Sequence, residues 1–164
     1  MSKNEKNTQR DYCEIRKFLN EQKREYQVDY PSGLTVKLEM DGVKSCSFLI
    51  RDASILECSV QWGTVVPKED AKHFQSFVDY LNDKRFGLFL VDPENGKLSF
   101  TSAAFFQNGK LRHDQIMNCW VSVLGMMVFF GDSVDPALRG KITIVEAVKK
   151  IEDSFNSWES MYPE

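Results

Sequence analysis

Three successive runs alternate apolar and polar residues with the same parity, and this restricts the fold more than any other feature. Leu34, Val36, Leu38 and Met40 alternate with Thr35, Lys37, Glu39 and Asp41. Cys46, Phe48 and Ile50 alternate with Ser45 and Ser47, and Leu56, Cys58, Val60 and Trp62 with Glu57, Ser59 and Gln61. A period of two sends successive side chains to opposite faces of a strand. The runs therefore predict an antiparallel meander whose even-numbered positions form one apolar face. Parity also constrains the turns. A two-residue loop at Asp41-Gly42 would pair even with odd positions and bring Ser45 and Ser47 onto the apolar side. A three-residue loop, Met40-Asp41-Gly42 with Gly42 left-handed as a bulge, keeps the parity. The same reasoning asks for an odd loop near Arg51-Asp52-Ala53.

A sheet with one apolar face needs a cover, and the flanking segments supply helical patterns. Tyr12, Ile15, Phe18, Leu19 and Tyr26 recur at spacings of three and four, predicting a helix from Thr8 to about Glu25 that ends before Tyr30-Pro31-Ser32-Gly33. Pro67 opens a second helix, with Glu69 and Asp70 in its first turn, where carboxylates suit the helix dipole, and Phe74, Phe77, Val78 and Leu81 as its stripe. Phe86 to Val91 reads as a short strand, Asp92-Pro93-Glu94-Asn95-Gly96 as a turn, and Leu98, Phe100 and Ser102 as its return. Asn108-Gly109 breaks that strand. A long helix follows from about Asp114 to Phe130, a break at Gly131-Asp132, and a last helix from about Pro136 to Trp158. Residues 1–7 are expected as a frayed tail and 8–164 as a single domain. The expected class is α+β: a five-stranded antiparallel sheet with helices on one face, in the order α-βββ-α-ββ-α-α. With 42% apolar residues and 12 Phe, 164 residues suffice for a sizeable core.

The composition speaks against several function classes. The net charge is −3 and the positive charges are interspersed, whereas a chain that neutralises phosphates carries a basic domain or arm; nucleic acid is not expected as a partner. The polar N-terminus has no apolar segment behind it, so no secretory signal is read there. The longest apolar run, Cys119 to Phe130, falls short of the roughly 20 residues a spanning helix needs, and it is assigned to the interior with no membrane role. Cys13, Cys46, Cys58 and Cys119 form no C-x-x-C pair, and His73 and His113 are far apart in the chain, so no metal site is expected. A cytoplasmic setting and free thiols follow, with Cys46 and Cys58 packed inward on neighbouring strands. Gly140-Lys141 lacks both the earlier glycine and the following Ser or Thr of a phosphate loop. His113-Asp114 stands where a helix begins and reads as a cap beside a solvated His, and Glu57 as a cross-strand charge partner. No catalytic constellation and no cofactor site emerge.

The long helix is apolar nearly all round. Ile116, Trp120, Val123, Met127 and Phe130 form one row and Met117, Val121, Leu124 and Val128 another. Such a helix needs cover on two sides. The expectation is that Val121, Leu124 and Val128 face the sheet, while Trp120, Met127 and Phe130 meet the C-terminal helix or a partner, most simply a second copy in a homodimer. The stretch Val78-Asp79-Tyr80-Leu81-Asn82, the strand Phe86-Gly87-Leu88-Phe89-Leu90-Val91-Asp92, the Pro93-Glu94-Asn95-Gly96 turn and Lys97-Leu98-Ser99-Phe100 resemble the YbjN family. These are bacterial proteins labelled sensory transduction regulators, with a fold shared by type III secretion chaperones. The resemblance fits residues 67–130 and implies a small, often dimeric binding or chaperone-like protein without catalytic residues. The functional expectation is a non-catalytic cytoplasmic binding protein, chaperone-like or regulatory, that holds a protein partner. The alternative is a small enzyme whose site is assembled from scattered polar residues such as His113, Asp114 and Glu57.

Overall fold

A computed structural model describes residues 3–29, 33–40, 43–52, 54–83, 88–92, 94–106 and 110–161. The elements are α1 (Lys3–Glu21), β1 (Tyr26–Asp29), β2 (Gly33–Met40), β3 (Val43–Arg51), β4 (Ile55–Val65), a 3-10 turn (Lys68–Asp70), α2 (Ala71–Asp83), β5 (Leu88–Val91), β6 (Lys97–Phe105), α3 (His113–Leu138) and α4 (Ile144–Met161). All strand pairs are antiparallel, in the order β1-β2-β3-β4-β6-β5. Among the described residues the sheet thus has six strands where five were expected.

The additional strand arises from the way α1 ends. Arg24 N–H donates to Leu19 C=O and Lys23 N–H to Asn20 C=O, while Lys23 sits at φ 53°. This is a Schellman cap with lysine at the left-handed position that glycine usually fills. The chain turns four residues earlier than its pattern suggested, and Tyr26 faces Val36 across β1 and β2 instead of extending the helix stripe. At its other end α1 begins at Lys3, so residues 3–7, expected as a tail, are helical.

Even positions of the meander do face the core. Leu34, Val36, Cys46, Phe48, Ile50, Leu56, Cys58, Val60 and Trp62 are all buried. The device that preserves parity differs from the expected one. Met40 pairs with Val43 across a two-residue connection, and the register shifts between Lys37 and Met40 on β2, and again between Val43 and Ser45 on β3. The bulges absorb the extra residues within the strands, and Val43 turns inward opposite Trp62. The conformation expected of Gly42 lies outside the described residues. The β3–β4 loop is odd, as expected: Arg51 pairs with Ile55, with Asp52 at φ 50°.

The inner face is packed by aromatic contacts with α1 and α3. Trp120 stacks on Phe48 at 5.7 Å, and Phe89 meets Phe100 at 4.9 Å and Phe130 at 5.5 Å. The stripe Phe74, Phe77, Val78 and Leu81 is buried as α2 packs on β5 and α4. The helix α3 passes through Gly131-Asp132 and holds Pro136 inside its last turn, so the expected break there is absent. It ends at Gly140, φ 65°, where Lys141 N–H donates to Pro136 C=O and Gly140 N–H to Ala137 C=O. The Gly140-Lys141 pair is thus a helix cap. Thr143 then opens α4 in a capping box: Glu146 N–H donates to Thr143 Oγ1, and Thr143 N–H to Glu146 Oε2.

Candidate interaction surface

The sheet and the four helices decide which row of α3 faces outward, and the answer reverses the expected one. Trp120 and Met127 are 3% exposed and Phe130 is fully buried. Their bulk fills the space above Phe48 and Phe89, so this row, expected against the C-terminal helix or a partner, is covered within the chain itself. Val121 is 56% and Val128 71% exposed. Gly125 lies between them on the same face, at spacings of four and three, and a methyl built on it would meet nothing within 4 Å. Met117 and Leu124 flank this row and are half-buried. From Gln115 to Gly131 the helix carries no charged residue. Exposed Val and Gly are poorer helix formers than Ala, Glu or Lys, so the outward face holds residues that local helix stability does not select. What the face offers chemically is an uncharged ridge with open space at Gly125, where another apolar element could approach.

The opposite side of the sheet carries no helix among the described residues. Ser45, Ser47, Ser59, Gln61, Ser99 and Thr101 occupy it, with Ser59 and Thr101 hydroxyls 2.8 Å apart. Leu88, Leu90 and Phe105 are exposed at its β5–β6 end. The β5 edge is plugged at Phe89. Asn82, at the end of α2, donates from Nδ2 to Phe89 C=O at 2.9 Å and accepts the Phe89 N–H on Oδ1 at 2.7 Å. One side-chain amide therefore takes the place of a neighbouring strand, which blunts the edge against pairing with other chains.

The polar groups of the enzyme alternative do not converge. Glu57 lies on the outer sheet face, paired with Arg51 at 2.6 Å. His113 lies on the helical side, edge-on to Phe18, with Nδ1 3.7 Å from Glu21. Asp114 pairs with Arg112 at 2.8 Å, which holds its carboxyl below the usual range, and the α3 cap is made by Gln115, whose Oε1 accepts the Arg112 N–H. His73 is exposed on α2. The thiols of Cys46 and Cys58 lie 3.3 Å apart in the core. Burial, then the hydrogen bond to Cys46, pushes the Cys58 thiol well up, and burial also pushes up Cys119. The raised thiols of Cys58 and Cys119 favour the protonated form, which is unreactive in nucleophilic or metal chemistry. Among the described residues no three His, Cys, Asp or Glu side chains are placed to hold a metal ion.

One buried charge escaped the sequence reading. Asp11 is 0% exposed. Its Oδ1 accepts from Leu111 N–H at 3.3 Å, just before α3, and from Arg10 Nη2 at 3.1 Å, while Oδ2 is buried with no hydrogen-bond partner among the described residues. Burial pushes its carboxyl up, against the lowering effects of the Leu111 N–H and Arg10. The signal was present: Asp11 stands four residues before Ile15 and seven before Phe18, on the apolar stripe itself.

No protein-family model matches the sequence, and no curated protein matches it either. Among solved structures, the chain is similar to YbjN from E. coli, described as a candidate transcription regulator. The likeness covers 70% of this chain and 89% of that one, at 12% identity and a TM-score of 0.51. The chain has a YbjN-like fold.

Proposed function

We propose that this chain is a non-catalytic cytoplasmic module that acts by binding protein, in a regulatory or chaperone-like role, and that it associates first with a second copy of itself. The observation that carries the reading is the uncharged outward ridge of α3, with Val121 and Val128 exposed on either side of Gly125. Two copies crossing at Gly125 would bring the backbones close and remove both valines from water, and a shared two-fold axis makes one ridge complementary to itself. The likeness to a candidate transcription regulator supports a regulatory role. With a net charge of −3, contact with protein is the more natural route to regulation than contact with DNA. By length and composition α3 could cross a membrane, but it packs against β4, β6, α1 and α4, and we read it as a core helix.

Sedimentation equilibrium of the wild type and two variants tests this. Val128→Glu places a charge on the ridge, and Leu88→Glu places one on the exposed sheet end. The reading expects a concentration-dependent dimer, weakened at least about tenfold by Val128→Glu, equivalent to about 1.4 kcal/mol, and unchanged by Leu88→Glu, with both variants folded by circular dichroism. A wild type that stays monomeric to millimolar concentration overturns it, as does a dimer indifferent to Val128→Glu.

A further inference from the structure

We propose that Asp11 is a proton-operated latch that fixes α1 to the segment entering α3: the neutral carboxyl holds the corner closed, and the ionised carboxylate loosens it. The inference does not depend on the binding role of the α3 ridge. Its basis is the placement of one side chain between two elements a hundred residues apart in sequence.

The carboxyl lies on the buried stripe of α1, in line with Ile15 and Phe18. Among the described residues, all its hydrogen bonds fall on Oδ1, from the Leu111 N–H and from Nε and Nη2 of Arg10. Oδ2 is buried with none. A carboxylate with one oxygen unsolvated and unpaired is costly in a protein interior, and a proton on that oxygen removes the charge while leaving the Leu111 bond intact. The surrounding charges do not cancel this cost. Arg10 is half exposed to water, which screens it, and Glu14 on the same helix repels the ionised form. From the α3 side Leu111 presents only its backbone; Lys110 and Arg112 are exposed, and Arg112 is engaged by Asp114. Among the described residues one other titratable pair joins α1 to α3: His113 Nδ1 lies 3.7 Å from Glu21, an attraction that exists only when the imidazole is protonated. That attraction also tightens the corner in acid, so the test must separate the two.

The sign follows from linkage. A carboxyl that holds its proton more tightly folded than unfolded contributes stability that is complete below the unfolded value, near 3.8, and is lost as pH rises through the higher folded value. Acid therefore closes the latch. Each pH unit by which the folded midpoint exceeds 3.8 changes the opening equilibrium of the corner about tenfold.

Two measurements test the latch. Carbon-13 NMR of the side-chain carboxyls of the full chain gives the Asp11 midpoint directly, and the expected value lies above 3.8. Amide exchange of α1, corrected for intrinsic rates, is then followed from pH 7 to pH 3.5, below the unfolded value, in His113→Gln. Protection of α1 is expected to rise on acidification in that background and to become flat when Asp11→Asn is added. A midpoint at or below 3.8 overturns the proposal, and so does α1 protection that is flat or falls in His113→Gln. If the double variant does not fold, the midpoint and the exchange of His113→Gln still decide the matter.

Discussion

Replacing Asn82 by alanine removes the group that stands in for a missing strand. The Asn82 amide makes two hydrogen bonds to the backbone of Phe89, at 2.7 and 2.9 Å, and Phe89 itself is a fully buried anchor of the inner face against Phe100, Trp62 and Phe130. Hydrogen bonds of this kind contribute about 0.5–1.5 kcal/mol each, so the truncation should cost about 1–3 kcal/mol. At about 2–4 °C per kcal/mol for a chain of this size, the melting temperature should fall by roughly 4–8 °C for a loss of 2 kcal/mol. Asn82→Asp should be no better, because its carboxylate can accept the Phe89 N–H but repels the Phe89 carbonyl. Urea denaturation of the three proteins measures the loss, and the exchange rate of the Phe89 amide reports the local opening. The alanine variant should also associate more readily at high concentration, since the β5 edge is then free to pair. A loss below about 0.5 kcal/mol, with the Phe89 amide still protected, would refute the assignment of Asn82 as an edge plug.

Phe77→Ala should cost about 3–5 kcal/mol by denaturation, because the ring is 1% exposed and packed edge-on to Phe74; a loss under 1 kcal/mol would mean that α2 does not pack as described. Thiol titration should find one cysteine reactive in the folded protein, the exposed Cys13, and four in denaturant; two or three reactive folded thiols would place Cys46, Cys58 or Cys119 outside the core. Tyr80, whose hydroxyl donates to Glu152 at 3.1 Å, is pushed up to about 12 by burial and by that carboxylate. Its contribution to stability is present below the ordinary value of 10 and is lost as pH rises through about 12. Ultraviolet titration should show a late-ionising tyrosine that disappears in Tyr80→Phe.

The parity of the meander was legible because burial on one face imposes it on every strand at once, and Leu34, Phe48, Cys58 and their neighbours obey it. The local means of keeping it was not legible, since a bulge at residues 37–40 and a longer loop at 40–42 satisfy the same alternation. The first strand was hidden by Lys23, which takes a left-handed cap position without the glycine that would announce it. The inversion of α3 has a different cause. Two opposed apolar rows make periodicity silent about which faces inward, and side-chain volume decides: Trp120, Met127 and Phe130 fill the space over the sheet, leaving Val121, Gly125 and Val128 outside. Volume was readable in the sequence. The partner of Asn82 was not, because an asparagine at a helix end is ordinary until the edge it reaches is known.

In the proposed dimer the outward ridge of α3 is where two copies meet. Isotope-filtered NMR on a mixture of labelled and unlabelled chains, at a concentration where dimer is present, observes contacts between copies alone. The proposed dimer should show intermolecular contacts among the methyl groups of Val121 and Val128. Intermolecular contacts from Leu88, Leu90 or Phe105 instead, with none from the two valines, would contradict it.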